Sequence, residues 1–304
     1  MASLQTKVSP SEQVLERIVV SEPVLISVII PNYYSSRKEN VGRLVTMLRD
    51  QTRKDAEILI VHGVSPQGNA INTGARAAIG KYLVVLDDDS QMDRTDILEN
   101  LVRVIDTHPD VGMAGASIIS PANINTFQRA AAKQFPRFHM PVVESVTDSD
   151  MPCHGCVIFP RAVFDQVGME RDDILRGLDP DLRVRIRRAG YRVVLVPQTW
   201  VYHPFPATVG KFARLFFRNG YGSAYLQTFY PEINYDTDEA VNSENFVAKR
   251  SLAFRLVRFP LRLLKSILMF QWIRFLGYAV YVFGYAYGVV KFQWMRLLGQ
   301  NPRV

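Results

Sequence analysis

Apolar runs of strand length alternate with stretches of helical period over the first hundred residues. Val24-Leu-Ile-Ser-Val-Ile-Ile30 is β-branched and stops at Pro31 and Asn32. Glu57-Ile-Leu-Ile-Val61 ends at His62-Gly63, and Tyr82-Leu-Val-Val-Leu86 runs into Asp87-Asp88-Asp89. Runs of this kind predict buried strands. Between them, Val41, Leu44, Val45 and Leu48 mark one helical face, and Ile71, Ala75, Ala78 and Ile79 mark another, with Gly80 suited to close that helix. A further helix is predicted from about Thr95 to Asp106, followed by an apolar stretch from Val111 to Ile119. This alternation predicts an α/β fold with a mostly parallel sheet and helices on both faces. Such sheets bind ligands beyond the carboxyl ends of their strands.

The pattern fades from Ser120 to Asp150, where Pro121, Pro136 and Pro141 suggest a loop-rich insertion. It returns as a strand at Cys156-Val-Ile-Phe159, a short helix from Arg161 to Val167, a helix from Leu178 to Ala189 and a strand at Arg192-Val-Val-Leu-Val196. Tyr221 to Arg250 has five acids and few large aliphatics, and reads as a mobile linker.

The last segment has a different pattern. Arg255, Arg258, Arg262 and Lys265 recur every three or four residues among Phe, Leu, Val and Ile, which on a helix gives a basic stripe beside a broad apolar face. Pro260 is expected to kink or divide that helix. Phe275 to Val290 is uncharged and aromatic-rich but, at sixteen residues, short of the roughly 20 that span a bilayer. Cations flank it on both sides, so nothing orients a span. The reading that follows is a helical hairpin lying in the membrane interface. A homodimer packed through these helices is the alternative. Nucleic acid is not expected as a partner, because so large an apolar face does not suit phosphates.

Charge sharpens that division. The net +7 comes from 36 basic and 29 acidic residues, yet Phe246–Val304 holds ten basic residues and no acid. The remainder carries 26 basic against 29 acidic residues. Four segments are expected: an N-terminal extension (1–23), a catalytic α/β domain (24–222), an acidic linker (223–250) and a basic helical tail (251–304). The first 22 residues contain no apolar stretch behind a basic start, so no signal peptide is expected. Two cysteines exclude a disulfide scaffold. Location at the cytoplasmic face of the membrane is the expectation.

Candidate chemistry centres on Asp87-Asp88-Asp89 at a strand end. Alternate residues of an extended segment point the same way, so Asp87 and Asp89 could share one cation. Mg2+ is commonly held by one or two carboxylates while substrate phosphates complete its shell. An EF-hand starting at Asp87 fails, since Met92 and Leu98 fall where Gly and Glu are required. Asp179, at the start of a helix, suits an N-cap or a general base. His203 follows a strand, and a structural role competes with metal ligation there. Cys153-His-Gly-Cys156 lacks a second pair to close a zinc site. Lys211, Arg214 and Arg218 line one helical face, either to meet a phosphate or as a solvated surface.

In their order and spacing these pieces resemble the family 2 glycosyltransferases of GT-A fold. The likeness runs from Ser27-Val-Ile-Ile-Pro-Asn-Tyr33 through Gln51-Thr52, Glu57–Val61 and Asn69–Asp89. It continues in Gly155-Cys-Val-Ile-Phe-Pro-Arg161, in Leu178-Asp-Pro-Asp-Leu182 and in Val201-Tyr-His203, covering about Leu25 to Gly222. The resemblance implies a Rossmann-like catalytic domain that moves a sugar from a nucleotide-sugar to an acceptor hydroxyl, with inversion and with Mg2+ or Mn2+ as cofactor. It implies that Pro31, Tyr33, Asn72 and Arg76 border the nucleotide, that Asp88 lies near the ribose, and that Asp87, Asp89 and His203 hold the metal. It also implies that Asp179 is the base that deprotonates the acceptor. The basic tail adds the expectation of a glycan or lipid-linked acceptor at the bilayer. Two positions depart from the family pattern. Where the family usually reads Val-Asp-Asp-Gly-Ser after the second strand, this chain has Val61-His62-Gly63-Val64-Ser65, so uridine is not implied. Leu178 replaces the first acid of the family's Glu-Asp pair. The competing reading is a non-catalytic membrane scaffold of the same fold. A nucleotidyltransferase is disfavoured, because Asn32-Tyr-Tyr-Ser-Ser-Arg37 contains no glycine.

Overall fold

The computed structural model describes residues 14–135, 142–233 and 252–299. The chain divides into two compact units. The first comprises Met1–Ile119, Met140–Ile174 and Asp181–His203, and the second Ser120–His139, Leu175–Pro180 and Pro204–Val304.

The first unit is built on strands β1 (Leu15–Val19), β2 (Ile26–Asn32), β3 (Ala56–His62), β4 (Tyr82–Val85), β5 (Val111–Ile119), β6 (Thr147–Asp148), β7 (Val157–Pro160) and β8 (Arg192–Tyr202). They form one sheet in the order β1-β3-β2-β4-β7-β5-β8-β6. β3–β2, β2–β4 and β5–β8 pair in parallel, and the remaining neighbours are antiparallel, so the sheet is mixed. The edge strand β1 lies in the stretch read from sequence as an extension. None of its residues is buried, and its place is set by pairing with β3, some forty residues on in sequence.

Side-chain alternation divides the apolar residues between two faces. Ile26, Val28, Ile30, Ile58, Ile60, Tyr82 and Val84 pack under helices α1 (Lys38–Arg49) and α3 (Ile97–Thr107). Ile29, Leu59, Val61, Leu83 and Val85 meet α2 (Gln67–Ala77), α5 (Arg161–Gln166) and Leu182 and Ile186 of α6 (Leu178–Arg188). With helices on both faces and β2, β3 and β4 parallel, this is the α/β arrangement expected from the residues, and it suits the GT-A fold that the resemblance implies.

The second unit contains α4 (Thr126–Gln134), the start of α6, α7 (Val209–Phe229), α8 (Leu252–Leu268) and α9 (Trp272–Leu297). Thus the loop-rich insertion contains a helix, which Asn125 and Gln128 close with a reciprocal capping box. The predicted linker also differs, because α7 continues to Phe229; residues 234–250 of that linker lie outside the described residues. α8 runs through Pro260, which is exposed. α9 extends past the uncharged segment at both ends. By length and composition it could cross a membrane, which the shorter apolar count had argued against.

α7 and α9 run alongside each other in the same direction and touch through glycines. A Cβ on Gly220 would lie 2.0 Å from the Tyr281 carbonyl oxygen and 2.8 Å from the Tyr285 nitrogen, and one on Gly284 would lie 2.3 Å from the Phe217 carbonyl. Farther along, Phe292 is buried against Tyr221, Tyr225 and Phe229. Tyr281 donates to Ser223 at 2.8 Å. Backbone-to-backbone contact leaves no flexible side chain to move aside, so Gly220→Leu is expected to cost roughly 3 kcal/mol of stability. Gly210→Ala, at the open start of the same helix, should be neutral or mildly stabilising. Denaturant midpoints of the two variants check this, and equal midpoints would dismiss the seam.

Candidate active site

The acidic motif begins where β4 leaves the sheet. Asp87 N–H donates to the His154 carbonyl at 2.9 Å, and Ser90 N–H returns to the Asp87 carbonyl at 3.0 Å. The three acids therefore sit on a β-turn, not on the extended strand that the sequence argument assumed. Their side chains take different sets of partners. Asp87 accepts from Gln67 Nε2 at 2.7 Å. Asp88 is buried, accepting from Asn32 Nδ2 at 3.0 Å and from Arg37. Asp89 is half-buried, with His203 Nε2 at 3.2 Å from Oδ1 and the Arg37 guanidinium at 3.0 Å from Oδ2. Asn40 braces the turn by donating to the Asp88 and Ser90 carbonyls at 2.6 and 3.1 Å.

The electrostatics differ along the turn. Burial pushes the Asp88 carboxyl up, more than Arg37 and Asn32 pull it down. Burial also opposes ionisation of Asp89, but there the hydrogen bond and charge of His203, with the charge of Arg37, prevail and hold it well below the usual carboxylate range. Burial lowers His203, and its bond to Asp89 with the charges of Asp89 and Asp87 more than offsets this, so its pKa is raised. The result is an ionised carboxylate with an imidazole already directed at it.

The structure thus brings Asp87, Asp88, Asp89 and His203 together, and adds Arg37, Asn32, Asn40 and Gln67, which sequence reasoning had not singled out. Their signal was topological: β2 and β4 are parallel neighbours, so the residues after Asn32 share an edge with those after Val85. Pro31 and Tyr33 also lie at this edge, both half-buried, the Tyr33 ring meeting Tyr34 edge-on at 4.9 Å. Beside them Asn32 pairs in register with His62, whose Nδ1 lies 3.2 Å from Asn32 Oδ1, and His62 Nε2 is 3.4 Å from Glu16.

Two expected nucleotide neighbours, Asn72 and Arg76, lie on α2. Asn72 is buried, and its amide is spent on Glu170: Nδ2 donates to the Glu170 carbonyl at 2.8 Å, and Oδ1 accepts from the Glu170 N–H at 3.0 Å. Glu170 in turn meets His154 Nε2 at 2.8 Å, and the His154 carbonyl holds Asp87 N–H. Asn72 is therefore a brace beneath the acidic turn, and His154 of the Cys-His-Gly-Cys segment belongs to the same brace. Arg76 is exposed near the far end of α2. That helix starts beside Asp87 at Gln67 and runs back against the strand direction, which puts Arg76 about 13 Å along its axis from Gln67. The reversal that a βαβ crossover requires thus sets Arg76 apart from the acidic turn.

In the second unit, Asp179 stands half-buried in the first turn of α6. Asp181, two residues on and in the first unit, is buried, with Arg185 at 2.6 Å and Arg171 at 3.5 Å. Of the two acids in the Leu-Asp-Pro-Asp-Leu segment, Asp181 is locked into structure and Asp179 is the more accessible.

Among the described residues no three His, Cys, Asp or Glu groups are gathered closely enough to hold a metal ion by themselves. The donor chemistry of Asp89 and His203 nevertheless fits one. Their 3.2 Å separation is close to the roughly 3 Å edge between adjacent ligands of a Mg2+-sized octahedral ion. Asp87 is near enough to act electrostatically on His203.

No curated protein sequence matches the chain. Among solved structures it is similar to the mannosyltransferase PcManGT from Pyrobaculum calidifontis, determined in complex with GDP-Man and Mn2+. The identity is 13%, the TM-score 0.51, and the match covers 87% of this chain and 86% of that one. It is also similar to S. aureus TarS 1-349, with 11% identity, a TM-score of 0.45, and coverage of 87% and 92%. The family model described as glycosyl transferase family group 2 matches residues 82–295, well over half of the sequence. The chain therefore belongs to glycosyl transferase family group 2.

Proposed function

We propose that the protein transfers a hexosyl group from a nucleotide-sugar to an acceptor hydroxyl, with inversion at the anomeric carbon and dependence on a divalent cation. The observation that carries this reading is the pairing of ionised Asp89 with His203 on the turn after β4, at the carboxyl edge of the parallel strands. Asp89 and His203, with Asp87 beside them, would hold Mg2+ or Mn2+. Such an ion would supply positive charge to the departing diphosphate. Pro31 and Tyr33 offer an apolar and aromatic rim for the nucleotide. Asp179 accepts the proton of the attacking hydroxyl, and a single displacement needs no covalent intermediate.

GDP-Man and Mn2+, bound in PcManGT, indicate where to begin a donor screen. Purified protein given GDP-Man and a panel of other nucleotide-sugars should hydrolyse or transfer from at least one with Mn2+ or Mg2+, and from none in EDTA. Inactivity with the whole panel would overturn the reading.

We further infer that the second unit docks on the cytoplasmic face of a membrane, placing the enzyme beside a glycan or lipid-linked acceptor. Val257, Leu261, Leu264 and Leu268 form an exposed apolar line on α8, next to Arg258 and Lys265. The turn into α9 exposes Met269, Phe270 and Trp272. α9 lies against α7, which carries exposed Lys211, Arg214 and Arg218. Spanning would draw these cations toward hydrocarbon at about 3 kcal/mol each, so a helical pair lying in the interface is favoured. Cys153 and Cys156 are not joined in a disulfide, which fits a reducing compartment. Flotation should show binding to anionic vesicles that weakens with salt, and the double variant Phe270→Ser, Trp272→Ser should bind about tenfold less. Unchanged flotation would dismiss the tip, and sedimentation of the wild type as a stable dimer without vesicle binding would favour a homodimer.

A further inference from the structure

Arg37 lies within reach of the charges of Asp87, Asp88 and Asp89. It ends the 3-10 turn Ser35–Arg37 at the head of α1, just beyond the carboxyl end of β2. Its guanidinium bridges two acids. One nitrogen donates to buried Asp88, and the other lies 3.0 Å from Asp89 Oδ2. The two attachments differ in kind. Asp88 is buried and additionally tied to Asn32, so it is a fixed anchor. Asp89 is half-buried, and its other oxygen faces His203, where a divalent cation would be held. An ion drawing on Asp89 therefore competes with Arg37 for the same carboxylate.

We propose that Arg37 is the resident counter-ion of the acidic turn, keeps its grip on Asp88, and passes from Asp89 to the diphosphate of the donor when cation and donor bind. The inference rests on the metal-dependent donor reading above and adds the residue that links its two charges. Arg37 suits both duties: its planar fork presents several donors at once, and guanidinium recognises carboxylate and phosphate with the same geometry. The side chain is over a third exposed, so its outer nitrogen can swing while the inner one stays on Asp88. Charge is also conserved sensibly. With a divalent cation held by Asp89 and His203, Asp89 would no longer need Arg37, and the guanidinium so released would pair with the incoming diphosphate. Asp88 then acts as the positioning residue for Arg37, in place of the ribose contact that the family resemblance implies.

The test uses the full chain as wild type, Arg37→Gln and Arg37→Lys, with two binding measurements of opposite expected sign. Mn2+ alone, followed by the electron paramagnetic resonance of the free ion, should bind Arg37→Gln about threefold to tenfold more tightly, because a competing cation is gone. GDP and UDP, titrated calorimetrically in saturating Mn2+, should include one that binds wild type and binds Arg37→Gln about tenfold more weakly, with Arg37→Lys between them. A merely structural role would weaken both affinities together and lower the unfolding midpoint of both variants. Mn2+ binding to wild type with the same or lower affinity in Arg37→Gln would overturn the hand-over while leaving the metal reading intact. Nucleotide affinity unchanged by either variant would likewise overturn it. Failure of wild type to bind Mn2+ under any condition would remove both readings.

Discussion

Asp179→Asn is expected to lower kcat by about a thousandfold while leaving donor affinity and the unfolding midpoint near wild type. General-base catalysis is worth about 10²–10⁴ in rate, and an amide of the same shape cannot accept the proton. The neighbouring acid supplies the contrast. Asp181 is buried between Arg185 and Arg171, so Asp181→Asn leaves cations beside a neutral group and is expected to cost stability first. Steady-state rates and denaturant midpoints measured together separate the two. If Asp179→Asn retains more than about a tenth of wild-type kcat, the base lies elsewhere.

Replacement of Asp89 by Asn is expected to be equally severe but to act through the cation. The folded protein holds Asp89 ionised through His203 and Arg37. The amide cannot neutralise a divalent ion, so transfer should fall by about a thousandfold, and Mn2+ affinity should fall with it. The sign of the associated stability change follows from the depressed carboxylate. A group ionised more readily in the folded state stabilises it above its unfolded pKa, and that contribution disappears as pH falls toward its folded value. Asn removes that contribution at neutral pH, so a modest drop in midpoint should accompany the loss of activity. Wild-type Mn2+ affinity in the variant would take Asp89 out of the metal site. The two substitutions thus lose the same activity with different signatures, one in proton transfer and one in ion binding.

Much of this organisation is legible in the residues. β2, β3 and β4, the helices between them and the acidic motif all announce themselves through local period and through the residues that end each run. His203 could be placed at a strand end because β8 continues in one direction to Tyr202. Less is legible where a residue's neighbours are distant in sequence. Asn72 sits on the helix expected to border a nucleotide, yet its amide is taken by Glu170, ninety-eight residues on. α7 was cut short by polar composition, although its glycines and tyrosines are seam residues against α9.

The sequence alone determined which segments could be strand or helix, where carboxylates would leave the sheet, and that positive charge collects in the last sixty residues. These follow from periodicity, chain punctuation and counting, each a local property. Only the tertiary structure decided that the three acids turn instead of extending, that Asp88 is buried while Asp89 is not, and that Arg37 reaches both. It also decided that α2 reverses direction and carries Arg76 away. Those outcomes depend on which strands pair and which backbones approach, and the energy that selects them comes from contacts between residues that local pattern does not relate.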